Sequence, residues 1–195
     1  VAYGGFAYKY RQNCYIYTNL LDKNDLDLTL RRIYNKMLVK IRKASSKDVS
    51  DILNLIRELA AFEREPDAVE VSIDELIRDG FGEQPLFHVL IAEMPSGEIA
   101  GMALYYVRYS TWKGKTLHLE DLIVKNKFRS QGIGSQLFDA FLKIVRDEKV
   151  RRAEWVVLDW NQNAIDFYEK NGANILKDWH LVQIDQKAVQ RKFNS

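Results

Sequence analysis

The stretch Arg129-Ser130-Gln131-Gly132-Ile133-Gly134 constrains the fold most tightly. It joins an apolar run, residues 117–124, to a segment whose Ile133, Leu137, Phe138, Phe141 and Val145 share one helical face. A strand must therefore feed a helix through a short turn holding two glycines. Helix N-termini leave about four amides unpaired and carry partial positive charge. An anion placed at such a turn meets several donors at once. Gly132 and Gly134 remove side chains that would keep a pyrophosphate off the backbone, and Lys127 and Arg129 add charge at the entrance. The spacing is neither the dinucleotide-binding pattern nor the Walker pattern. Two glycines before a helix also make an ordinary turn, so local spacing leaves both readings open. Under the first, the ligand is a phosphate-bearing cofactor held mainly by backbone.

The rest of the chain alternates between strand and helix signals. Val39, Ile41 and Ala44 alternate with charge, as in a strand. Ser45 or Ser46 is placed to cap a helix in which Val49, Ile52, Leu53, Ile56, Leu59 and Ala60 recur at helical spacing. A shorter helix is expected over residues 72–79, ending at Gly80. Residues 87–93, 99–109, 117–124, 153–158 and 175–184 read as strands, with turns at 95–97 and around Gly114. Ala164, Phe167 and Tyr168 belong to a short helix that Gly172 ends. Strands in the middle and helices around them define an α/β class with a mixed sheet.

Composition narrows function by exclusion. The chain has 195 residues, about one domain on a prior of ~150 residues each. Lys and Arg number 29 against 27 Asp and Glu, too balanced for a nucleic-acid surface. No run approaches the ~20 apolar residues of a membrane helix, so no membrane partner is expected. Cys14 is the single cysteine, which suits a reducing, cytoplasmic compartment. His88, His118 and His180 are far apart and offer no metal-ligand spacing, so no metal is expected. Residues 1–36 carry six basic and three acidic residues and six of the ten tyrosines. This shift sets a boundary near Met37: an extension of uncertain order over 1–36, then a domain over 37–195. A targeting segment and an ordered arm are the other readings of the extension.

Longer strings make the phosphate turn more specific. Arg-x-x-Gly-x-Gly after an apolar strand resembles the acyl-CoA loop of the GNAT family of N-acetyltransferases. The resemblance spans residues 38–195. Leu119-Glu120-Asp121-Leu122-Ile123-Val124 is similar to the family's cofactor strand, and Asn161 through Asn171-Gly172-Ala173 to its later coenzyme A motif. Asp79-Gly80-Phe81-Gly82 and Leu119-Glu120-Asp121 resemble the diamine acetyltransferase branch. Ser110-Thr111-Trp112-Lys113-Gly114 and Leu158-Asp159-Trp160-Asn161-Gln162 resemble its thialysine-acetylating members.

The resemblance implies the GNAT acyl-CoA fold, a mixed, mostly antiparallel sheet flanked by helices. It implies acetyl-CoA as cosubstrate, a small amine as substrate and a homodimer. Leu122, Ile123 and Val124 would offer backbone to the pantetheine arm. Arg129, Ser130, Gln131, Gly132, Ile133, Gly134 and Ser135 would hold its diphosphate. Asn161 reads as a cofactor contact or a helix cap, and Lys170 as a phosphate partner or a solvated lysine.

A primary amine of pKa ~10.4 is neutral to only about one part in a few thousand at pH 7. Such an enzyme must attract the cation, remove a proton and protonate a leaving thiolate. Glu120 and Asp121 are the amine-handling residues, since charges inside an apolar strand are costly unless used. Strict alternation puts them on opposite faces; the resemblance implies a β-bulge that relaxes this rule. Glu120 is assigned as base, Asp121 as amine-binding carboxylate and, by resemblance, Tyr168 as the acid. The alternative for the carboxylates is an edge pair bound to Arg108, Arg151 or Lys127. For Tyr168 it is a core aromatic. Phe62, Glu63, Trp112 and Trp179 are further substrate contacts or simple core and surface. Polyamine-acetylating relatives place an acid where this chain has Ser110. That departure favours a small amine, such as the side-chain amine of thialysine or lysine, over a long polycation.

Overall fold

The computed structural model describes residues 38–194. The expected extension, residues 1–36, lies outside them. The chain divides into two compact units after Trp155.

The first unit is a five-stranded sheet in the order β1-β2-β3-β4-β5. Its strands are β1 Lys40–Lys43, β2 His88–Glu93, β3 Ile99–Ser110, β4 Gly114–Val124 and β5 Ala153–Glu154. The first four pair antiparallel, and β5 runs parallel to β4. The mixed, mostly antiparallel sheet expected from the resemblance is therefore present. Helices α1 Val49–Phe62, α2 Ile73–Phe81 and α3 Ile133–Asp147 accompany it.

Ser45 and Asp48 form a capping box ahead of α1. Arg42 of β1 grips Asp48 through both guanidinium nitrogens at 2.9 Å, so strand and helix start are tied together. The periodic residues Val49, Ile52, Leu53 and Ala60 are buried, and Ile56 and Leu59 partly so. They pack with Leu76 of α2 on a sheet face carrying Val89, Ile91, Met102, Leu104 and Ile123. Burying such side chains stabilises the fold by ~1.5–3 kcal/mol each. On α3, Ile133, Leu137, Phe138 and Phe141 are buried. Phe141 meets Tyr105 at 5.6 Å between ring centroids. Tyr105 alternates with Leu104 along β3, so α3 covers the opposite face.

The second unit, residues 156–194, contains α4 Gln162–Lys170 and α5 Gln186–Phe193. Asn161 caps α4 and Asp185 caps α5. Gly172, at φ +86°, follows α4 as expected.

Two strand expectations need correction. The run at 153–158 is a strand only at Ala153–Glu154. Its ladder covers Leu117 and His118, and the next positions on β4 are Leu119 and a bulged Glu120, where the regular repeat breaks. Residues 175–184 form no strand. Leu176, Leu181, Val182 and Ile184 are exposed there. Apolar alternation supplies a face, but a strand exists only through a paired neighbour.

Gly101 sits opposite Val124 where β3 and β4 approach closely. A Cβ added there would lie 2.4 Å from the Ile123 carbonyl oxygen. Backbone cannot move aside as a flexible side chain can. Gly101→Ala should therefore destabilise the protein by ~1–3 kcal/mol in chemical denaturation. An unchanged midpoint would show that the strands are not held this closely.

Candidate active site

The turn after β4 is pinned at several points. Lys125 N–H donates to the Ala100 carbonyl at 2.8 Å, and Asn126 N–H to Glu58 Oε1 at 3.1 Å. Gln131 donates from its side chain to the Lys127 carbonyl at 3.2 Å. Arg129 Nε donates to the Val124 carbonyl at 3.0 Å, and its guanidinium lies 5.2 Å from the Phe62 ring centroid. Lys127, expected to add free charge at the entrance, is paired with Glu98 at 2.6 Å. Ser130 and Gly132 take φ of 60° and 77°, the left-handed conformation that reverses the chain into α3.

Among the described residues no side chain caps α3, and its first turn contains no acid. Gln136 N–H reaches back to the Gly132 carbonyl, which leaves the amides of Ile133, Gly134 and Ser135 ahead of the ladder. A Cβ at Gly134 would meet Val124 Cγ2 at 3.7 Å, an ordinary contact. Internal packing does not require glycine there. Open amides, partial positive charge and an absent side chain together suit a phosphate group.

The outer edge of β4 is equally suggestive. Among the described strands, β5 pairs only with Leu117 and His118. No described strand continues that ladder along Leu122, Ile123 and Val124. An amide-bearing chain can complete such an edge.

The expected bulge is present. Leu104 pairs with Asp121 and Tyr105 with Leu119, so Glu120 is the extra residue. Before it, Thr116 and His118 share the α1 face with Tyr106 and Arg108 of β3; after it, Asp121 and Ile123 do, opposite Leu104 and Met102. Glu120 and Asp121 thus act on one side of the sheet. Neither makes an ion pair with Arg108, which instead holds Glu154 at 3.0 Å.

Asp121 is pushed up to about 7, by burial first and then by the charges of Glu120 and Glu63. Glu63 caps the C-terminus of α1 and is itself pushed up by burial. The three carboxylates form a site that a cation would relieve. Glu120 has half its side chain exposed and Glu63 is exposed as well, so Asp121 is the enclosed member. Trp112 does not join them from within its own chain. It lies on the turn following Ser110, six residues along β3 from Leu104, or roughly 20 Å at ~3.3 Å per residue. Ser110 accepts hydrogen bonds from the Trp112 and Lys113 amides at 3.3 and 3.2 Å and so shapes that turn.

In the second unit, Asn161 Oδ1 accepts from the Ala164 amide at 3.3 Å, so its capping role is realised. Tyr168 is buried, and burial pushes its phenol up to about 12. It therefore holds its proton throughout the physiological range. Lys170 closes α4, and Trp179 is exposed.

Two neighbours of Glu120 escaped the sequence reading. His118 Nε2 lies 3.5 Å from Glu120 Oε2, and Tyr106 meets the same carboxylate. The signal was available: His118 is two residues before Glu120 on an alternating strand.

Residues 49–173 match the model of the acetyltransferase (GNAT) family. The chain belongs to that family. It is thus an acetyl-CoA-dependent N-acetyltransferase, transferring acetyl to an amine. Thialysine N-epsilon-acetyltransferase of Bos taurus is 41% identical over 162 residues, covering 78% of this chain and 95% of that protein. Spermidine/spermine N(1)-acetyltransferase-like protein 1 of Homo sapiens is 39% identical over 159 residues, covering 77% of this chain and 23% of that one. An integron cassette protein from V. cholerae has the same fold, with a TM-score of 0.67 at 22% identity, covering 82% of this chain and 99% of that one.

The Asp121 environment has a consequence for stability. Its folded value of about 7 lies above the ordinary 3.8. Between the two, the folded protein keeps a proton that the unfolded chain releases. Stability therefore falls as pH rises through this window and levels off above it. The full difference is roughly 4 kcal/mol at ~1.36 kcal/mol per pKa unit. Asp121→Asn should raise the thermal midpoint at pH 8 and leave it nearly unchanged at pH 4. An equal effect at both pH values would show that Asp121 is not charged against its surroundings.

Proposed function

We propose that the enzyme acetylates the primary amine of a small substrate: thialysine, a lysine-like amino acid or a short diamine. The observation that carries this reading is the bulge, which brings Glu120 and Asp121 to one side of the sheet while Glu63 faces Asp121. Asp121 and Glu63 receive the cationic amine. Glu120, the solvent-reaching carboxylate, accepts its proton through water. The uncapped amides of Ile133, Gly134 and Ser135 hold the diphosphate of coenzyme A, with Arg129, Ser130, Gln131 and Gly132 shaping the turn. Leu122, Ile123 and Val124 offer backbone to the pantetheine amides. Acetyl-CoA, when bound, supplies the thioester carbonyl that the neutral amine attacks. Tyr168 keeps a phenolic proton for the leaving thiolate, a role that rests on the family resemblance. Asn161 and Lys170 as cofactor contacts and Trp112 and Trp179 as substrate contacts rest there too, as do the domain boundary at residue 37, a homodimer and a cytoplasmic location.

The likeness to a thialysine acetyltransferase supports the small-amine reading, and so does Ser110 in place of an acid. The test is thiol release from acetyl-CoA with thialysine, lysine, putrescine, spermidine and a peptide. The highest kcat/KM is expected for a small amine. A higher value for spermidine would favour polyamine acetylation. Coenzyme A binding in calorimetry with no thiol release from any amine would mean a silent acyl-CoA-binding protein.

Two variants and a pH profile test the roles. Tyr168→Phe should lower kcat roughly 10²-fold, the lower range for a positioned acid, with acetyl-CoA affinity nearly intact. Asp121→Asn should raise KM for the amine more than for acetyl-CoA; equal rises would make its role structural. For the wild type, kcat/KM for the amine should rise with pH through about 7, as Asp121 gains the charge that binds the cation. This limb should vanish in Asp121→Asn.

A further inference from the structure

The α1 face of the sheet carries a polar pair that no step above uses. His118 and Tyr106 are register partners on β4 and β3, so both side chains leave the sheet on the same side. Their rings stack with centroids 5.1 Å apart and planes 28° apart. The His118 side chain is only 11% exposed. Its Nε2 faces Glu120 Oε2 at 3.5 Å, while its Nδ1 is buried without a hydrogen-bond partner among the described residues.

That orphan nitrogen decides the tautomer. The groups facing the ring are Tyr106 and Arg108 on β3, Glu120 on β4 and Glu154 on β5. Burial and Arg108 hold the imidazole neutral against the pull of Glu120 and Glu154. A neutral ring carries one N–H. Placed on Nδ1, that hydrogen would be buried with no acceptor, and a bare lone pair would face the carboxylate. Placed on Nε2, it points to Glu120, and only a lone pair is left unmatched. The second arrangement loses less. A phenylalanine would stack on Tyr106 equally well without burying an unmatched nitrogen. The imidazole is therefore explained by its N–H, not by its packing.

We propose that His118 is a positioning residue: its Nε2–H, with the Tyr106 hydroxyl, orients the bulged Glu120 carboxylate toward the incoming amine. The inference rests on the assignment of Glu120 as base. A bulge residue lies outside the regular ladder, and half of the Glu120 side chain is in solvent. Two donors from the sheet face restrict the rotamers of an otherwise mobile carboxylate.

The experiment compares His118→Phe, His118→Gln, Tyr106→Phe and Glu120→Gln, with His118→Phe repeated in the Glu120→Gln background. Thermal melts check folding. His118→Phe keeps the stacked ring and loses the donor; it should lower kcat about tenfold, with KM for amine and acetyl-CoA within twofold. His118→Gln, whose amide nitrogen reaches the place of Nε2, should recover most of that loss. Tyr106→Phe keeps its ring and should lower kcat severalfold, which gives a second reading where His118→Phe folds poorly. In the Glu120→Gln background, His118→Phe should add almost nothing. An undiminished kcat in His118→Phe, no recovery with Gln, or a full further loss without Glu120 overturns the role of His118 alone. Full turnover in Glu120→Gln itself overturns the base assignment and this inference together.

Discussion

One inserted residue organises the first unit. Without the bulge at Glu120, β4 would alternate regularly, and Glu120 and Asp121 would point to opposite faces. One carboxylate would then face α3 among Phe138, Phe141 and Tyr105, where a charge has no partner. With the bulge, both carboxylates act on the α1 face, and Leu119 keeps its place opposite Tyr105. The same residue ends the regular ladder toward β5. The acidic site and the open strand edge are two results of one backbone irregularity.

The C-terminus of α1 links the acidic site to the phosphate turn. Glu63 caps the helix and faces Asp121. Its neighbour Phe62 lies under the guanidinium of Arg129, in the turn before α3. Adjacent residues of one helix end therefore touch the acidic site and the phosphate turn. The helix cannot drift far, because Asp48 at its start is locked to Arg42. Rigid support at both ends fits a site that must hold three carboxylates in close quarters. Like charges brought together strain the fold, and here the tie of helix to strand and turn opposes that strain.

The sequence spoke clearly where the physics is local. The spacing of Val49, Ile52, Leu53 and Ala60 marked α1, and Gly132 with Gly134 marked the start of α3. The bulge was not legible from alternation, which argues against it; only the family resemblance pointed there. The stacking of His118 on Tyr106 was not legible, because it needs the register of β3 and β4, whereas the place of His118 two residues before Glu120 on one strand was. Residues 175–184 misled because pairing is a property of neighbours, not of a segment. Helix α5 was missed although Asp185 is a sound cap: its residues 186–193 are mostly polar, and none is buried. Apolar periodicity cannot reveal a helix with no buried face.

The acidic site also bears on the length of substrate. Glu63, Glu120 and Asp121 gather carboxylates in one place, the proposed site of the amine. A long polycation needs further negative charge several ångströms along its chain, since its remote ammonium groups are strongly hydrated. Only the far end of such a chain could reach the β3–β4 turn, roughly 20 Å along the strand from the acidic site at ~3.3 Å per residue, and Ser110 there offers a neutral hydroxyl already bound to the Trp112 and Lys113 amides. A carboxylate there could accept the same two amide hydrogens and still attract a distant cation. Serine preserves the turn and drops the attraction. The turn keeps its geometry without that charge, and under the proposed function discrimination rests on the three carboxylates. On that proposal a short amine satisfies them fully, whereas each added ammonium of a longer chain finds less to bind.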